Sequence, residues 1–476
     1  MKRGSGVLMP ISALPGAYSI GGFSDYAKKF IDVLFDCGFR YWQVLPFSPV
    51  DDFFSPYQSC SAFGGNPYLI DLCRLEQKGL LTKNEVEACR QESPYACEYE
   101  RLQRERIEIL KLASSRVQNR TEIETFIHRS PQLEAFCRFM AIRQAEKGAC
   151  WSQWHREQPS PDVLFLWQFI QYEFFTQWQS IKEYANQKEV YIIGDLPFYV
   201  SYDSADVWNN QKLFMLDDKH RPSCVAGVPP DYFAKDGQLW GNPLYDWEQM
   251  EATDFSWWRE RVGHSLTLFD GIRLDHFRAI DSFWAVDAGA KTAKEGRWMQ
   301  GPGKKLVDAI LEESKGKLII AEDLGEITDS VRSLVADSGF PGMRVLQFGF
   351  GGEADTPHMP HHYPNNSVAY TGTHDNNTLL GFIWEMEADR RRELFAYCGY
   401  DGTDWSHACD SIIRTIMMSH AGLVIFPIQD LLCYGSDTRL NVPGRAEGNW
   451  RFRLTQKQID EIDRDKFRTL NRLYRR

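Results

Sequence analysis

The chain has 476 residues, enough for about three average domains or for one large barrel with insertions. Its 54 Lys and Arg against 65 Asp and Glu give a net charge of −11 without any basic block, which argues against nucleic-acid binding. No apolar run approaches the roughly 20 residues that a membrane-spanning helix requires, so we expect no association with a membrane.

The cysteine content and the N-terminus predict a cytoplasmic protein. Eleven cysteines are scattered without a CxxC pair, which argues against a structural zinc site and against a disulfide framework. Their odd number fits reduced thiols, as in the cytosol. The first ten residues, MKRGSGVLMP, contain too few apolar side chains for a secretory signal.

Eight short apolar runs, taken in chain order, predict eight β-strands. Unbroken runs of this length are typical of strands that are covered on both faces, as in a parallel sheet. The runs are GVLMPIS near Val7, YWQVLP to Pro46, VYIIGDLP to Pro197, FDGIRLDHF to Phe277, KLIIAEDLG from Lys317, MRVLQFGF to Phe350, SVAYTGTHDN to Asn376 and GLVIFPIQDL to Leu431.

Segments with helical periodicity lie between several of these runs. Ser24 is a candidate N-cap for a helix that carries Phe30 and Leu34, and Gly38 is its candidate end. The segments DAILEESK and TDSVRSLVADSG lie in the same way on either side of the fifth run. Eight strands that alternate with helices predict an α/β fold, a (β/α)8 TIM barrel.

Two long gaps predict insertions in this barrel. Residues 72–189 are polar, rich in Glu, Arg and Gln, and contain pieces such as NEVEACRQE, which indicates a mainly helical insertion. Residues 201–269 have few strand signals and many Pro, Gly and aromatic residues, which indicates a loop-rich insertion. The barrel itself is then expected to comprise residues 1–71, with the first strands and helix, and residues 190–476.

Charged residues stand at the C-terminal ends of the predicted strands, where barrels of this kind form their active sites. They are Asp195, Arg273, Asp275, His276, Glu322, Asp323, His374, Asp375 and Asp430. For Asp323 and Asp430 we expect a structural role, as caps of the helices that follow them. The other residues converge on one end of the predicted barrel, which favours a shared function.

Metal and phosphate chemistry both have weak support. A metal site could draw on the histidines His276, His374, His358, His361 and His362, but no HExxH or other tight ligand spacing appears. A phosphate site would need glycine-rich turns after the seventh and eighth strands. The seventh run instead ends in THDNNT, whose acidic group would repel phosphate. We therefore expect no metal and no other cofactor.

Paired carboxylates favour glycoside chemistry instead. Breaking an acetal needs a proton for the leaving oxygen and a negative group beside the oxocarbenium-like carbon, and two carboxyl groups supply both. Arg273, two residues before Asp275, would hold that carboxylate ionised, as a nucleophile must be. Burial after an apolar run would keep Glu322 protonated, as an acid must be.

Ten longer segments, spread over nearly the whole chain outside the helical insertion, carry a family resemblance. They are ISALPGAYSIGGF, SPYQSCSAFGGNPYLIDL, IIGDLPFYVSYDSADVW, GVPPDYFAKDGQLWGNPLYDW, GIRLDHFRAIDSFW, GRWMQGPGKKL, IIAEDLG, PGMRVLQFGF, YTGTHDNNT and NVPGRAEGNWRFRL. Together they resemble the 4-α-glucanotransferase family of amylomaltases and disproportionating enzymes, in the α-amylase superfamily. The chain departs from amylases at GDLPFYVSYD, where they usually follow the third-strand Asp with an Asn-His pair.

The resemblance implies a retaining enzyme that moves a segment of an α-1,4-glucan donor to the 4-hydroxyl of a glucan or glucose acceptor. Asp275 would be the nucleophile, Glu322 the acid and base, and Asp375 a third carboxylate that holds sugar hydroxyls. The other implied substrate-binding residues are Arg273, His374, Asp195, Trp240, Asn441 and Tyr57. The resemblance implies no cofactor, and the oligomeric state stays open.

Two alternatives come from the residues alone: a glucan hydrolase of the same fold, and a non-catalytic glucan-binding barrel. The three carboxylates argue against the second, since binding does not need a matched acid and nucleophile. The resemblance alone decides against the first. A transferase must exclude water, and the segment from Ala226 to Pro243, with Tyr232, Phe233 and Trp240, is predicted to be a covering loop.

Overall fold

The structure, a computed structural model, describes residues 2–230, 235–351 and 356–476. Twelve strands lie in these ranges: β1 (Gly4–Leu8), β2 (Tyr41–Gln43), β3 (Tyr191–Leu196), β4 (Cys224–Val228), β5 (Gln238–Pro243), β6 (Gly271–Leu274), β7 (Ser282–Asp287), β8 (Gly296–Gln300), β9 (Leu318–Ala321), β10 (Gly342–Val345), β11 (Ser367–Tyr370) and β12 (Leu423–Pro427).

The same ranges contain nineteen α-helices, most of which connect or flank the strands. They are α1 (Asp25–Cys37), α2 (Leu72–Gln77), α3 (Lys83–Ala88), α4 (Tyr99–Ser115), α5 (Thr121–His128), α6 (Pro131–Ala145), α7 (Pro161–Gln187), α8 (Ala205–Asn209), α9 (Trp247–Ala252), α10 (Ser256–Leu268), α11 (Lys304–Ser314), α12 (Asp329–Ser338), α13 (Leu346–Gly349), α14 (Leu379–Glu385), α15 (Ala388–Tyr397), α16 (Trp405–Met418), α17 (Ile428–Leu431), α18 (Gln456–Asp460) and α19 (Arg464–Leu473). None of these helices has the length and apolar content that crossing a membrane requires.

Eight parallel strands close into a barrel in the order β1-β12-β11-β10-β9-β6-β3-β2. Each of the eight predicted runs supplies one of them, so the (β/α)8 TIM barrel is confirmed. Every residue of β1, β6, β11 and β12 is buried, which explains their continuous apolar runs. The sixth run is shorter as a strand than predicted, because β10 ends at Val345 and the next four residues form α13.

Local sequence signals set the ends of the barrel helices. The hydroxyl of Ser24 accepts a hydrogen bond from the backbone N–H of Tyr26 at the start of α1, and Gly38 ends this helix with a φ of 80°. Thr328 caps α12 in the same way, and Gly339 ends it with a φ of 69°. Glycine takes this left-handed conformation without a Cβ clash, and α1 ends where the sequence predicts.

Residues 72–189 contain the six helices α2–α7. The longest, α7, has 27 residues and packs against the barrel through its apolar side chains. The indole N–H of Trp178 donates to the carbonyl of Leu268 at 3.0 Å. The side-chain amide of Gln171 exchanges two hydrogen bonds with the backbone of Gly65, at 2.7 and 3.0 Å. These buried contacts hold the helices against one side of the barrel.

A second, antiparallel sheet has the strand order β5-β4-β7-β8. Its strands β4 and β5 lie within residues 201–269, where the sequence analysis found few strand signals, and none of the four was predicted. The β8 strand, GRWMQ, is almost wholly exposed and therefore carries no apolar run. The predicted covering loop overlaps β4 and β5, while its Tyr232 and Phe233 lie outside the described residues.

Candidate active site

Arg273, on β6, is the ionic centre of the candidate site. Its Nη1 donates to both carboxylate oxygens of Asp195, at 2.9 Å each, and its Nη2 lies 3.0 Å from Oδ1 of Asp275. Strand register pairs Asp195 with Arg273 on neighbouring strands. Burial alone would lower the pKa of Arg273, but the two carboxylates outweigh it and raise that pKa well above its usual value. The guanidinium therefore stays charged.

Asp275 directly follows β6, and its side chain is 28% exposed. Burial raises the pKa of Asp275, and the charge of Arg273 opposes this rise. The sequence predicts that Arg273 holds Asp275 ionised, but burial acts in the opposite direction and its effect on the pKa of Asp275 is the larger one. The ion pair still favours the carboxylate form, which is the form that can attack a carbon atom.

Glu322 directly follows β9, and its carboxyl group is held by two backbone donors. The N–H of His276 donates to Oε2 and the N–H of Leu324 donates to Oε1, both at 2.8 Å. Burial raises the pKa of Glu322 to about 7, with a further rise from Asp275, while Arg273 and the two backbone bonds oppose it. A group with this pKa can give and take a proton near neutral pH.

His276 contributes its backbone rather than a metal-binding side chain. Its φ of 49° is in the left-handed region, which is uncommon for a residue with a Cβ and often marks a functional site. Burial and the charge of Arg278 lower the pKa of His276 to about 3, so the ring is neutral. Trp240 of β5 packs against this ring nearly perpendicularly, with 4.7 Å between centroids.

Asp375 lies beyond β11 and is held by two side chains. Its Oδ2 is 3.3 Å from Nε2 of His374, and its Oδ1 accepts a 2.6 Å hydrogen bond from Nδ2 of Asn441. Burial would raise the pKa of Asp375, but His374 and Asn441 outweigh it and hold that pKa well below its usual range. Burial alone would lower the pKa of His374, but the charge of Asp375 and its hydrogen bond outweigh burial and raise that pKa. The two residues thus favour an ion pair.

Tyr57 connects Asp195 with His374. Its hydroxyl donates to Oδ2 of Asp195 at 2.8 Å and lies 3.5 Å from Nδ1 of His374, on whose ring it stacks at 5.0 Å and 19°. Trp450, which the sequence analysis did not single out, packs 5.8 Å from the Tyr57 ring and 6.0 Å from the His374 ring. Its left-handed backbone, with a φ of 65°, leaves no signal in the sequence.

These contacts join all nine predicted site residues into one cluster. They are Asp195, Arg273, Asp275, Glu322, His374, Asp375, Trp240, Asn441 and Tyr57. Trp240 and Glu322 join through His276, which follows Asp275 in the chain, and the others join directly through hydrogen bonds or ion pairs. The cluster combines two carboxyl groups, of which Asp275 alone is directly ion-paired with Arg273, with a third carboxylate and aromatic surfaces.

Asp323 and Asp430 make structural hydrogen bonds, but neither caps the helix that follows it, so the predicted capping was wrong. Oδ1 of Asp323 accepts the backbone N–H of Met343 at 2.6 Å, which ties the end of β9 to β10. The two oxygens of Asp430 accept the hydroxyl of Thr371 at 2.5 Å and the N–H of Leu379, the first residue of α14, at 2.8 Å. The carboxyl group of Asp323 therefore bonds to a neighbouring strand, and that of Asp430 bonds to the end of β11 and the start of α14.

His358 and His361 of the PHMPHHYP segment bond to groups outside the cluster of site residues. Nδ1 of His358 lies 3.2 Å from the backbone N–H of Val345, and the ring of His361 is 2.8 Å from the hydroxyl of Tyr397. Within the described ranges, no group of three or more His, Cys, Asp or Glu could hold a metal ion.

Comparisons with known proteins agree on one family. A family model described as 4-alpha-glucanotransferase matches residues 9–458. The 4-alpha-glucanotransferase of Clostridium butyricum is 38% identical over 491 aligned positions, covering 98% of this chain and 100% of the relative. That of Streptococcus pneumoniae serotype 4 is 40% identical over 495 positions, covering 100% and 98%.

Two solved amylomaltase structures are similar to this chain. The amylomaltase from Streptococcus agalactiae in complex with acarbose aligns over 100% of both chains, with a TM-score of 0.96 and 34% identity. The amylomaltase from Corynebacterium glutamicum shares the fold over 98% of this chain and 75% of its own, with a TM-score of 0.82 and 17% identity. The chain belongs to the 4-alpha-glucanotransferase family.

Proposed function

We propose that the protein transfers a segment of an α-1,4-glucan donor to the 4-hydroxyl of another glucan or of glucose, by a retaining double displacement. The observation that carries this proposal is the contrast between Asp275 and Glu322. Asp275 is ion-paired with Arg273 at 3.0 Å, whereas burial raises the pKa of Glu322 to about 7. One carboxyl group is favoured as a nucleophile and the other as a proton donor.

In the first step, Glu322 donates its proton to the departing glycosidic oxygen while a carboxylate oxygen of Asp275 attacks the anomeric carbon. The bond from that carbon to the leaving glucan breaks as the bond to Asp275 forms. The negative charge left on Glu322 is stabilised by the backbone N–H groups of His276 and Leu324.

In the second step, Glu322 takes a proton from the 4-hydroxyl of the acceptor. The acceptor oxygen attacks the anomeric carbon and releases the carboxylate of Asp275, which Arg273 again stabilises as an anion. Two successive inversions leave the new linkage in the α configuration. The chain supplies every acid, base and nucleophile in this sequence, so we expect no cofactor requirement.

We assign Asp375 to the hydroxyls of the sugar at the cleaved bond. His374 and Asn441 each hold one of its oxygens, and the remaining lone pairs can accept from hydroxyl groups. The side chain of Asp375 is 45% exposed, which suits a group that faces a ligand. Trp240, fixed against His276, offers an aromatic face to a sugar ring.

Incubation with maltotriose tests this function. Transfer predicts a ladder of longer and shorter glucans, beginning with maltopentaose and glucose from two maltotrioses. Glucose and maltose alone would indicate a hydrolase of the same fold, and unchanged maltotriose would indicate a glucan-binding protein. The Asp275→Asn variant, which keeps the size of the side chain, is the matched control and should give no products.

We also propose a cytoplasmic location. All eleven cysteines are free thiols, which supports a reducing compartment. Fractionation of cells that express a tagged chain would test the location, and recovery of the protein in an extracytoplasmic fraction would refute it.

A further inference from the structure

Arg439 connects the segment after β12 with Asp375. It follows the short turn Ser436–Thr438, and its side chain is half-buried. Its Nε donates to the backbone carbonyl of Asn441 at 2.7 Å, and its Nη2 donates to the backbone carbonyl of Asp375 at 2.5 Å. One guanidinium therefore fixes the backbones of two residues whose side chains also bond to each other, at 2.6 Å.

Asp375 needs such support because it lies outside the strand ladder. The strand β11 ends at Tyr370, and the backbone N–H of Asp375 donates a long hydrogen bond, 3.3 Å, to the hydroxyl of Thr373. A loop residue keeps a fixed orientation only where neighbouring groups hold it. The short bond from Arg439 to its carbonyl supplies that hold on the backbone of Asp375.

The segment that carries Arg439 is itself fixed by the barrel. Gln429, in α17 directly after β12, is 2% exposed and donates to the carbonyl of Thr438 at 3.0 Å. The backbone N–H of Arg439 donates to the carbonyl of Ser436 at 3.2 Å. Arg439 therefore transmits the position of the end of β12 to the segment after β11.

Arginine is suited to this arrangement and lysine is not. The planar guanidinium presents several N–H donors at fixed angles, so it can bond two carbonyls at once, whereas an ammonium group acts as a single point charge. Burial lowers the pKa of Arg439, and the charges of Glu385 and Asp375 oppose this change. An arginine in this position remains charged at any pH at which the protein works.

We propose that Arg439 is a positioning residue for the transfer reaction. Its two hydrogen bonds hold Asp375 and Asn441 in the orientation in which the Asp375 carboxylate accepts sugar hydroxyls. This inference rests on the proposed role of Asp375 as the third carboxylate of the site. Loss of the guanidinium then lowers kcat, because the carboxylate is misplaced at the transition state.

Two substitutions at this position, with a matched control, test the proposal by steady-state kinetics on maltotriose. Arg439→Ala should lower kcat by about 10²-fold, the effect expected of a misplacement of about 1 Å. Arg439→Lys keeps the charge and the aliphatic part of the side chain but loses the planar set of N–H donors, so it should also lose activity. Arg390, an exposed arginine of α15, provides the control, and Arg390→Ala should keep the kcat of the wild type. An unchanged kcat in Arg439→Ala would overturn the proposal.

Chemical rescue separates positioning from general stability. Guanidinium ions at millimolar concentration should restore several-fold activity to Arg439→Ala, because they can occupy the vacated space and bond the same carbonyls. Methylammonium at the same concentration should not. The proposal would be contradicted if neither ion restored activity, or if both restored it equally, because the planar arrangement of N–H donors would then not be what Arg439 contributes. Unfolding temperatures of all variants show whether any loss of kcat follows a loss of fold.

A double variant connects Arg439 to Asp375. With a donor that has a good leaving group, Arg439→Ala should lower the activity of the Asp375→Asn enzyme by about twofold or less, since the residue that it positions is already disabled. An equal loss in both backgrounds would show that Arg439 acts independently, which contradicts the proposal. Failure of the wild type to disproportionate maltotriose would instead refute the proposed function.

Discussion

The backbone N–H of His276 donates a 2.8 Å hydrogen bond to Oε2 of Glu322. His276 is also the residue directly after Asp275, so one peptide segment carries the proposed nucleophile and orients the proposed acid. The residue that donates this bond has a left-handed φ of 49°, which is uncommon for a side chain with a Cβ. The positions of the two carboxyl groups are therefore coupled through a single strained residue.

Substitutions that differ in their tolerance of this conformation test the coupling. Asparagine accepts a left-handed backbone, whereas valine, with a branched Cβ, does not. Both His276→Asn and His276→Val lose the imidazole ring, so they form a matched pair. Only the valine variant should misplace the N–H and weaken a bond that favours ionised Glu322. The pKa of Glu322 should then rise in His276→Val alone. In that variant the decline of kcat/KM at basic pH should therefore move to higher pH. Identical profiles would contradict the coupling.

The pH dependence of the wild type follows from the same group. The first step needs protonated Glu322, whose pKa burial raises to about 7. We expect kcat/KM to decline above about pH 7. The control is Glu322→Gln, in which this limb should disappear along with most of the activity. A basic limb that persists in Glu322→Gln would assign the titration to another group.

The raised pKa of Glu322 should also make the stability of the protein depend on pH. A carboxyl group whose pKa is higher in the folded than in the unfolded chain binds protons preferentially in the folded state. Its burial therefore destabilises the fold progressively as pH rises from about 4.5 to about 7. Glu322→Gln lacks this penalty, so its advantage in unfolding temperature over the wild type should grow across that interval. A constant difference between the two proteins would contradict a raised pKa.

The barrel and most of the site could be predicted because both depend on patterns along the chain. Buried parallel strands such as β12 leave unbroken apolar runs, and the charges at their ends meet because strand register brings residues such as Asp195 and Arg273 side by side. The exposed strand β8 leaves no such run. The left-handed backbone of Trp450 and the carbonyl contacts of Arg439 depend on tertiary packing, so they had no signal in the sequence.

Activity should not depend on a metal ion, since each proposed step uses carboxyl groups of the chain. Exhaustive treatment with EDTA should leave the rate of maltotriose disproportionation unchanged. The control is the same enzyme after EDTA removal and addition of zinc or manganese, which should give no increase. Loss of activity with EDTA and its recovery with either metal would bring back the histidine-based alternative.

The roles of Asp275 and Glu322 can be separated with a donor that has a very good leaving group. Such a donor needs little protonation, so Glu322→Gln should still form a covalent glycosyl adduct on Asp275. It should then stall, because a neutral amide cannot deprotonate the acceptor hydroxyl. Loss of acid and base assistance costs roughly 10²–10⁴-fold, and here it should fall mainly on the second step.

Azide needs no deprotonation, so it should restore turnover of Glu322→Gln and give an α-linked glycosyl azide. The matched variant Asp275→Asn lacks a nucleophile and should form no adduct. Mass spectrometry of the quenched proteins should show a mass gain in the first variant and none in the second. An adduct that mapped to Asp375, or a β-linked azide from Glu322→Gln, would reverse the assignment of nucleophile and acid, because retention at the anomeric carbon requires both displacements to pass through Asp275.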